Sequence, residues 1–273
     1  MKLCFSTLGC TDKELSEVIA TAKSFGIDAL EIRGLSGVLD NERIPCFSPE
    51  ENEKTKAALA AAGIRPLVLG TSCTFHDGTR LDAALREGYA ALEIAARLGF
   101  SAIRVFGDRI TDEGEAACVA RVTDGVQALC RSAESLGVGV YLEVHGDFVT
   151  EQRLMPIVSR CKDFSCFGLI WDICHTRKSY PDARAFYNRF RGVIRHVHMK
   201  DILGEEHVLP GDGRLPIREI ADYMTAQGYD GYFSLEWERK WHPTLPPIEQ
   251  ALARYLDLMK PYSEHSYTRE NLK

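Results

Sequence analysis

The chain has 273 residues, 45% hydrophobic and 26% charged, the balance of a globular protein large enough to bury a substantial core. A formal net charge of -6 argues against non-specific binding to nucleic acid or to an anionic membrane surface, since both reward positive charge. No apolar run approaches the ~20 residues needed to cross a bilayer, so no spanning helix is expected.

Residues 2–8 form a short apolar run. Thr11 and Glu14 have the spacing of a capping box. The helix expected after them carries Leu15, Val18, Ile19, Ala22 and Phe25 on one face and stops at Gly26. Residues 28–33 read as a second strand, with Leu30 and Ile32 opposite Glu31 and Arg33. Ser48 opens a second helix that Gly63 stops, and residues 65–71 form a third strand. A long helix over 81–98 leads to a fourth strand, 101–107, with Ile103 and Val105 opposite Arg104 and Phe106. Residues 113–136 are helical and Gly137 closes them. The fifth strand, 138–145, alternates Val140, Leu142 and Val144 with Tyr141, Glu143 and His145. After a helix over 150–160, the sixth strand, 167–173, sets Leu169, Trp171 and Ile173 against Gly168, Ile170 and Asp172. A helix over 182–190 precedes the seventh strand, 195–201, where Val197 and Met199 oppose His196, His198 and Lys200. A helix over 216–227 precedes the eighth strand, 232–237, where Phe233, Leu235 and Trp237 oppose Ser234, Glu236 and Glu238. A last helix carries Ala251, Leu252, Tyr255, Leu256 and Met259.

Eight strand–helix units without a linker predict a parallel sheet, and this length fits a single-domain (β/α)8 TIM barrel over 1–273. A doubly wound open sheet would carry a glycine-rich phosphate turn after its first strand, and the 8–11 stretch has one glycine only. Nine cysteines from Cys4 to Cys174, an odd count without a CxxC pair or a preceding signal peptide, predict free thiols in a reducing cytoplasm.

In a barrel the outward side chains meet helices, and the inward ones near the C-terminal strand ends line the active site. Glu143, Asp172, His198 and Glu236 fall late on the inner face of four strands that follow one another in sequence. Three carboxylates and an imidazole sharing one small space are costly unless neutralised. One divalent metal ion resolves the cost; separate salt bridges with Arg104, Arg195 or Lys200 are the competing account. Mostly oxygen ligands with one histidine suit Mn²⁺, Mg²⁺ or Co²⁺, and Zn²⁺ also fits.

The segments Leu142-Glu143-Val144-His145, Trp171-Asp172-Ile173-Cys174-His175, His196 through Asp201, Pro210 through Gly213 and Ser234 through Glu238 resemble the xylose isomerase-like TIM-barrel superfamily, and within it the sugar phosphate isomerase/epimerase branch. By motif position the resemblance places the metal ligands at Glu143, Asp172, His198 and Glu236, and a substrate-binding histidine at His175. It implies a sugar or sugar phosphate isomerase or epimerase, with Glu143 and Glu236 exchanging the substrate proton and the metal stabilising the enediolate. Two positions depart from the ketose 3-epimerase pattern. Val149 stands where those enzymes carry a substrate-binding Glu, and Gly204 where they carry an Arg. The expected substrate therefore differs from theirs.

Lys200, His145, Glu31 and Arg33 are the further substrate-binding candidates. Lys200 can instead pair with Asp201 or Glu143, and Glu31 with Arg33. Arg104 reads as a buried structural arginine, and His76 and His242 as loop histidines able to close over a substrate. Residues 210–213 read as a tight turn and not as a phosphate cradle, and Cys174 carries no sign of reactivity. An inosose-type dehydratase shares the first proton abstraction and is the competing enzyme. A zinc-dependent abasic-site endonuclease of the same superfamily needs a three-metal cluster, with histidines after the third and fourth strands and an Asp-x-His beyond the seventh; here the fourth strand ends Phe106-Gly107-Asp108 and the later stretch reads Asp212-Gly213-Arg214. The expected partner is a small carbohydrate; many barrels of the type it resembles associate, which implies a homo-oligomer, with no interface signal beyond apolar loop residues such as Trp241 and Leu245.

Overall fold

A helix between two strands carries the chain back to the same end of the sheet, so strict alternation makes neighbouring strands parallel. A computed structural model of the protein describes residues 2–260 and has this architecture. The first half contains β1 (Lys2–Ser6), α1 (Leu15–Ser24), β2 (Ala29–Ile32), α2 (Asn52–Ala62), β3 (Arg65–Thr74), α3 (Leu81–Leu98), β4 (Ala102–Phe106) and α4 (Glu115–Leu136). The second half contains β5 (Gly139–Glu143), α5 (Glu151–Cys161), β6 (Phe167–Asp172), α6 (Ile173–Thr176), α7 (Ala183–Phe190) and β7 (Ile194–Met199). It continues with β8 (Asp201–Leu203), β9 (Glu206–Val208), α8 (Ile217–Ala226), β10 (Tyr232–Leu235) and α9 (Ile248–Met259). Eight strands close a parallel barrel in the order β1-β10-β7-β6-β5-β4-β3-β2, while β8 and β9 form a separate antiparallel hairpin.

Strand alternation divides the apolar residues into two clusters. Phe5, Leu30, Ile103, Leu142, Leu169, Val197 and Phe233 face outward and pack with the helices. Cys4, Ala29, Leu67, Val68 and Ile170 fill the barrel interior, with Tyr141 and Tyr232 against them. Leu67 and Val68 are consecutive yet share this interior cluster, where a register shift between β2 and β3 interrupts the pleat. Among the described residues no helix is long and apolar enough to cross a membrane.

Three local outcomes differ from the sequence expectation. Thr11 does not cap α1: Glu14 precedes its first turn, and the Glu14 N–H donates to Glu17 Oε2 at 2.8 Å. The sixth strand stops at Asp172, because its Oδ1 accepts from the N–H groups of Cys174 (2.7 Å) and His175 (3.0 Å) and starts α6. The β8–β9 hairpin was not foreseen, since its three-residue strands are too short to show a period. Gly137, expected to close α4, does so with φ +66, a conformation glycine adopts without steric cost.

Candidate active site

The barrel register brings four ionisable tips together. Asp172 ends β6 and pairs with His198 on β7, Ser234 on β10 pairs with His198 from the other side, and Glu143 ends β5. Glu236 follows β10, its N–H donating to Met199 O at 3.0 Å. One ligand atom each from Glu143, Asp172, His198 and Glu236 lies within 4.8 Å of the others, and all four residues are buried.

His198 shows how the cluster is poised. Its Nε2 lies 2.9 Å from Glu31 Oε2, so this nitrogen carries the proton and donates it to the carboxylate. Its buried Nδ1 has no hydrogen-bond partner, yet it lies 3.3 Å from Glu236 Oε2, 3.7 Å from Glu143 Oε1 and 4.0 Å from Asp172 Oδ2. An imidazole whose Nδ1 faces three carboxylates without a hydrogen-bond partner, and whose other nitrogen is held by a fourth, has the donor arrangement of a metal centre once Nδ1 gives up any proton it carries. Without an ion, the alternative is a proton on Nδ1. Burial disfavours that charge, but Glu236, Glu31 and Glu143 outweigh it and raise the imidazole well above its ordinary pKa.

Two cations partly neutralise the carboxylates, so the salt-bridge account holds in part. Arg104 NH1 lies 3.0 Å from Glu143 Oε2 and 3.9 Å from Glu236 Oε1, NH2 donates to Thr71 O at 2.8 Å, and the guanidinium lies over the Phe106 ring. Lys200 Nζ lies 2.8 Å from Asp172 Oδ2 and 2.6 Å from Glu236 Oε2, and also meets Glu238 Oε1. Four carboxylates (Glu143, Asp172, Glu236, Glu238) against these two cations leave two negative charges, which a divalent ion would balance. Burial and Glu236 both oppose ionisation of Glu143, but Arg104 and His198 prevail and its pKa is lowered. Glu236 is likewise held below the carboxylate range: burial raises it, and His198 and Lys200 lower it further.

The cluster opens through Glu143 and Glu236 onto a cavity of ≈ 330 Å³ whose wall includes Arg33, Arg104, Phe106, His145, His175 and Trp241. A larger cavity, ≈ 450 Å³, lies against α8 and α9 and holds none of the four clustered residues. Of the substrate-binding candidates, His145, His175 and Arg33 line the smaller cavity. The His145 and His175 rings meet edge to face with centroids 4.3 Å apart. His175 Nε2 lies 3.8 Å from Asp172 Oδ2, beyond a hydrogen bond. Arg33 donates to Leu39 O at 2.9 Å and Ser72 Oγ at 2.7 Å, and burial with the nearby Arg104 lowers it to about 10.

Glu31 and Lys200 sit elsewhere. Glu31 is fully buried beneath the cluster; its Oε2 takes His196 Nε2 at 3.0 Å, His198 Nε2 and Ser234 Oγ at 3.2 Å, so it pairs with neither Arg33 nor the cavity. Lys200 is 1% exposed and committed to three carboxylates, none of them Asp201 or Glu143. Asp201 faces the other way and holds the 210–215 loop, accepting from the N–H groups of Gly211, Gly213 and Leu215 at 2.9 to 3.1 Å. Those amides are spent, which agrees with a structural turn. A Cβ at Gly213 would lie 2.1 Å from Asp201 Oδ1, so only glycine fits. Burial pushes the Cys174 thiol up to about 11, which keeps it unreactive.

Asp108 was not singled out in the sequence. It has φ +69, lines the cavity, and places Oδ1 3.3 Å from His145 Nδ1 and Oδ2 3.9 Å from His76 Nδ1. Burial disfavours protonated His145, but Asp108 and Glu143 outweigh it and raise its pKa. The one available signal was position, just past the end of β4, where inward residues reach the mouth.

A family model for the xylose isomerase-like TIM barrel matches residues 19–262. Fructoselysine 3-epimerase of Escherichia coli O157:H7 is 24% identical over 123 residues, 42% of this chain and 44% of the relative. Inosose dehydratase of Lacticaseibacillus casei is 26% identical over 159 residues, 50% of this chain and 53% of the relative. The chain thus spans about half the length of the curated relatives it matches. Among solved structures, 3-keto-D-glucoside 4-epimerase from E. coli superposes with a TM-score of 0.76 at 20% identity, over 95% of this chain and 99% of that one. The IolI protein with a bound zinc atom gives 0.75 at 19% identity, over 97% and 100%. With the matched model covering most of its length, the chain belongs to the xylose isomerase-like TIM barrel family.

Proposed function

We propose that the protein is a divalent-metal-dependent isomerase or epimerase acting on a small carbohydrate or its phosphate. The observation that carries this reading is the buried cluster of Glu143, Asp172, His198 and Glu236 at the mouth of the barrel, with the bare Nδ1 of His198 aimed into it. Those four residues would hold the ion, and the oxygen-rich set suits Mn²⁺, Mg²⁺ or Co²⁺, with Zn²⁺ also accommodated. An ion there supplies Lewis-acid polarisation of the substrate's carbonyl and hydroxyl oxygens.

The protein's own groups then do the proton work. Along the barrel the four tips follow the order Glu236, His198, Asp172, Glu143, so the two glutamates stand at the ends of the arc. Both are ionised at neutral pH, which suits a base, and both line the cavity. One takes the proton from the carbon beside the carbonyl. For inversion the other glutamate first takes up a proton from solvent through the cavity and delivers it to the opposite face; delivery to the neighbouring carbon, with the hydroxyl proton passing to the former carbonyl oxygen, gives aldose–ketose isomerisation. His145 and His175 are placed to bind substrate oxygens, and Arg33 to bind hydroxyl or anionic groups.

Solvent deuterium wash-in at the substrate's α-carbon tests the reading on a panel of sugars and sugar phosphates. Glu143→Gln and Glu236→Gln are expected to lower it by about 10²- to 10⁴-fold. Unchanged exchange in both variants would sink the proposal. A dehydratase is the second reading, and His145 favours it: an imidazole whose pKa is raised beside Asp108 can protonate a leaving hydroxyl. The similarity to inosose dehydratase also supports it. Water loss creates a new carbonyl absorption, whereas epimerisation conserves mass.

A further inference from the structure

Away from the four clustered tips, a second group of ligand-type side chains meets at the rim of the barrel. His207 comes from β9, and Glu238 and His242 from the turn after β10. In that turn the N–H groups of Trp241 and His242 both donate to Glu238 O at 3.0 Å. One helical turn separates Glu238 from His242, so their side chains share a face. The two carboxylate oxygens of Glu238 are divided. Lys200 takes Oε1, while Oε2 lies 3.9 Å from His207 Nε2, too far for a hydrogen bond. The His207 and His242 rings have centroids 4.7 Å apart, and one ligand atom from each of the three residues lies within 4.8 Å of the others. His207 Nδ1 is buried without a hydrogen-bond partner.

We infer that His207, Glu238 and His242 form a second divalent-cation site, of the zinc class, distinct from the catalytic cluster. Two imidazoles and a carboxylate make up a common three-residue zinc set that leaves a fourth position for water or a substrate oxygen. Ligands around a tetrahedral ion with ~2.1 Å bonds lie roughly 3.4 Å apart. Small side-chain rotations therefore close this set. An ion here ties the β8–β9 hairpin to the segment after β10, beside Trp241, where Glu238 and Trp241 line the cavity. Lys200 pairs with both Glu238 and Glu236 and so lies between the two groups.

The test counts ions without using turnover. Full-length protein is stripped with a chelator, titrated with Zn²⁺ by calorimetry, desalted, and assayed for bound metal. Wild type is expected to hold two ions per chain, and His242→Ala, at an exposed position where folding is not at stake, only one. His207→Ala is expected to behave as His242→Ala does. His198→Ala is expected to lose the other ion and keep this one, so failure here and failure of the catalytic reading are separable. Equal stoichiometry in wild type and both rim variants overturns the inference. So does a single wild-type ion that His198→Ala removes.

Discussion

Two layers of side chains fill the barrel, and a single step of the pleat separates them. In the lower one, Cys4, Leu67, Val68 and Ile170 pack with Tyr141 and Tyr232 as an apolar plug. In the upper one, two residues further along the same strands, Ile170 gives way to Asp172 and Tyr141 to Glu143. The upper layer is buried and the lower is too, apart from its two half-buried tyrosines, yet the lower is stabilised by leaving water and the upper is stable only through its pairings. Between them Glu31 accepts from both histidines of β7 and joins the layers. The contrast teaches that stability and reactivity are assigned to different heights of one barrel, so they should respond to mutation separately.

The largest expected effect falls on the upper layer. Glu143→Gln should cut deuterium wash-in by about 10²- to 10⁴-fold while the barrel still folds, because Gln keeps the shape and an oxygen for Arg104, although the charge of that buried pair is lost. Ile170→Ala should do the reverse, costing about 2–5 kcal/mol in denaturant unfolding with metal stoichiometry unchanged. A loss of metal binding in that variant would break the division between layers. Glu31→Gln probes the joint: without its charge, His198 loses the partner that fixes its tautomer, and calorimetric Mn²⁺ affinity should fall about 10- to 100-fold. The smallest effect is one of pH. The folded pKa of His198 is raised, so in metal-free protein the stability it contributes is complete below the ordinary value of 6.5 and is lost as pH rises through the folded value. An incoming ion must displace that proton, so affinity should climb with pH, by about tenfold per unit below the folded pKa. A flat profile would show that Nδ1 carries no proton to displace.

The four clustered tips were legible because each lies on, or directly continues, a strand whose alternation reveals its two faces. Val197 and Met199 against His196 and His198 name an inner face with no knowledge of neighbours. The choice of partners was not legible. Adjacent residues of an extended chain point opposite ways, so Lys200 turned from Asp201 to carboxylates 28, 36 and 38 positions away, at Asp172, Glu236 and Glu238. Glu31 and Arg33 share a face, but one reaches under the histidines of β7 and the other along Ser72, a separation set by barrel closure and invisible to spacing. Asp108 lies beyond the regular part of β4, where no period applies.

Asp201 has a consequence for how such a barrel can change over generations. By gripping the amides of the 210–215 loop, it returns the chain to a fixed point after the β8–β9 excursion. Whatever length is inserted at the Gly204 tip is thereby isolated from the register of β7 and the start of α8. The hairpin is a place where new sequence can be trialled over the mouth while the inherited chemistry beneath it stays intact.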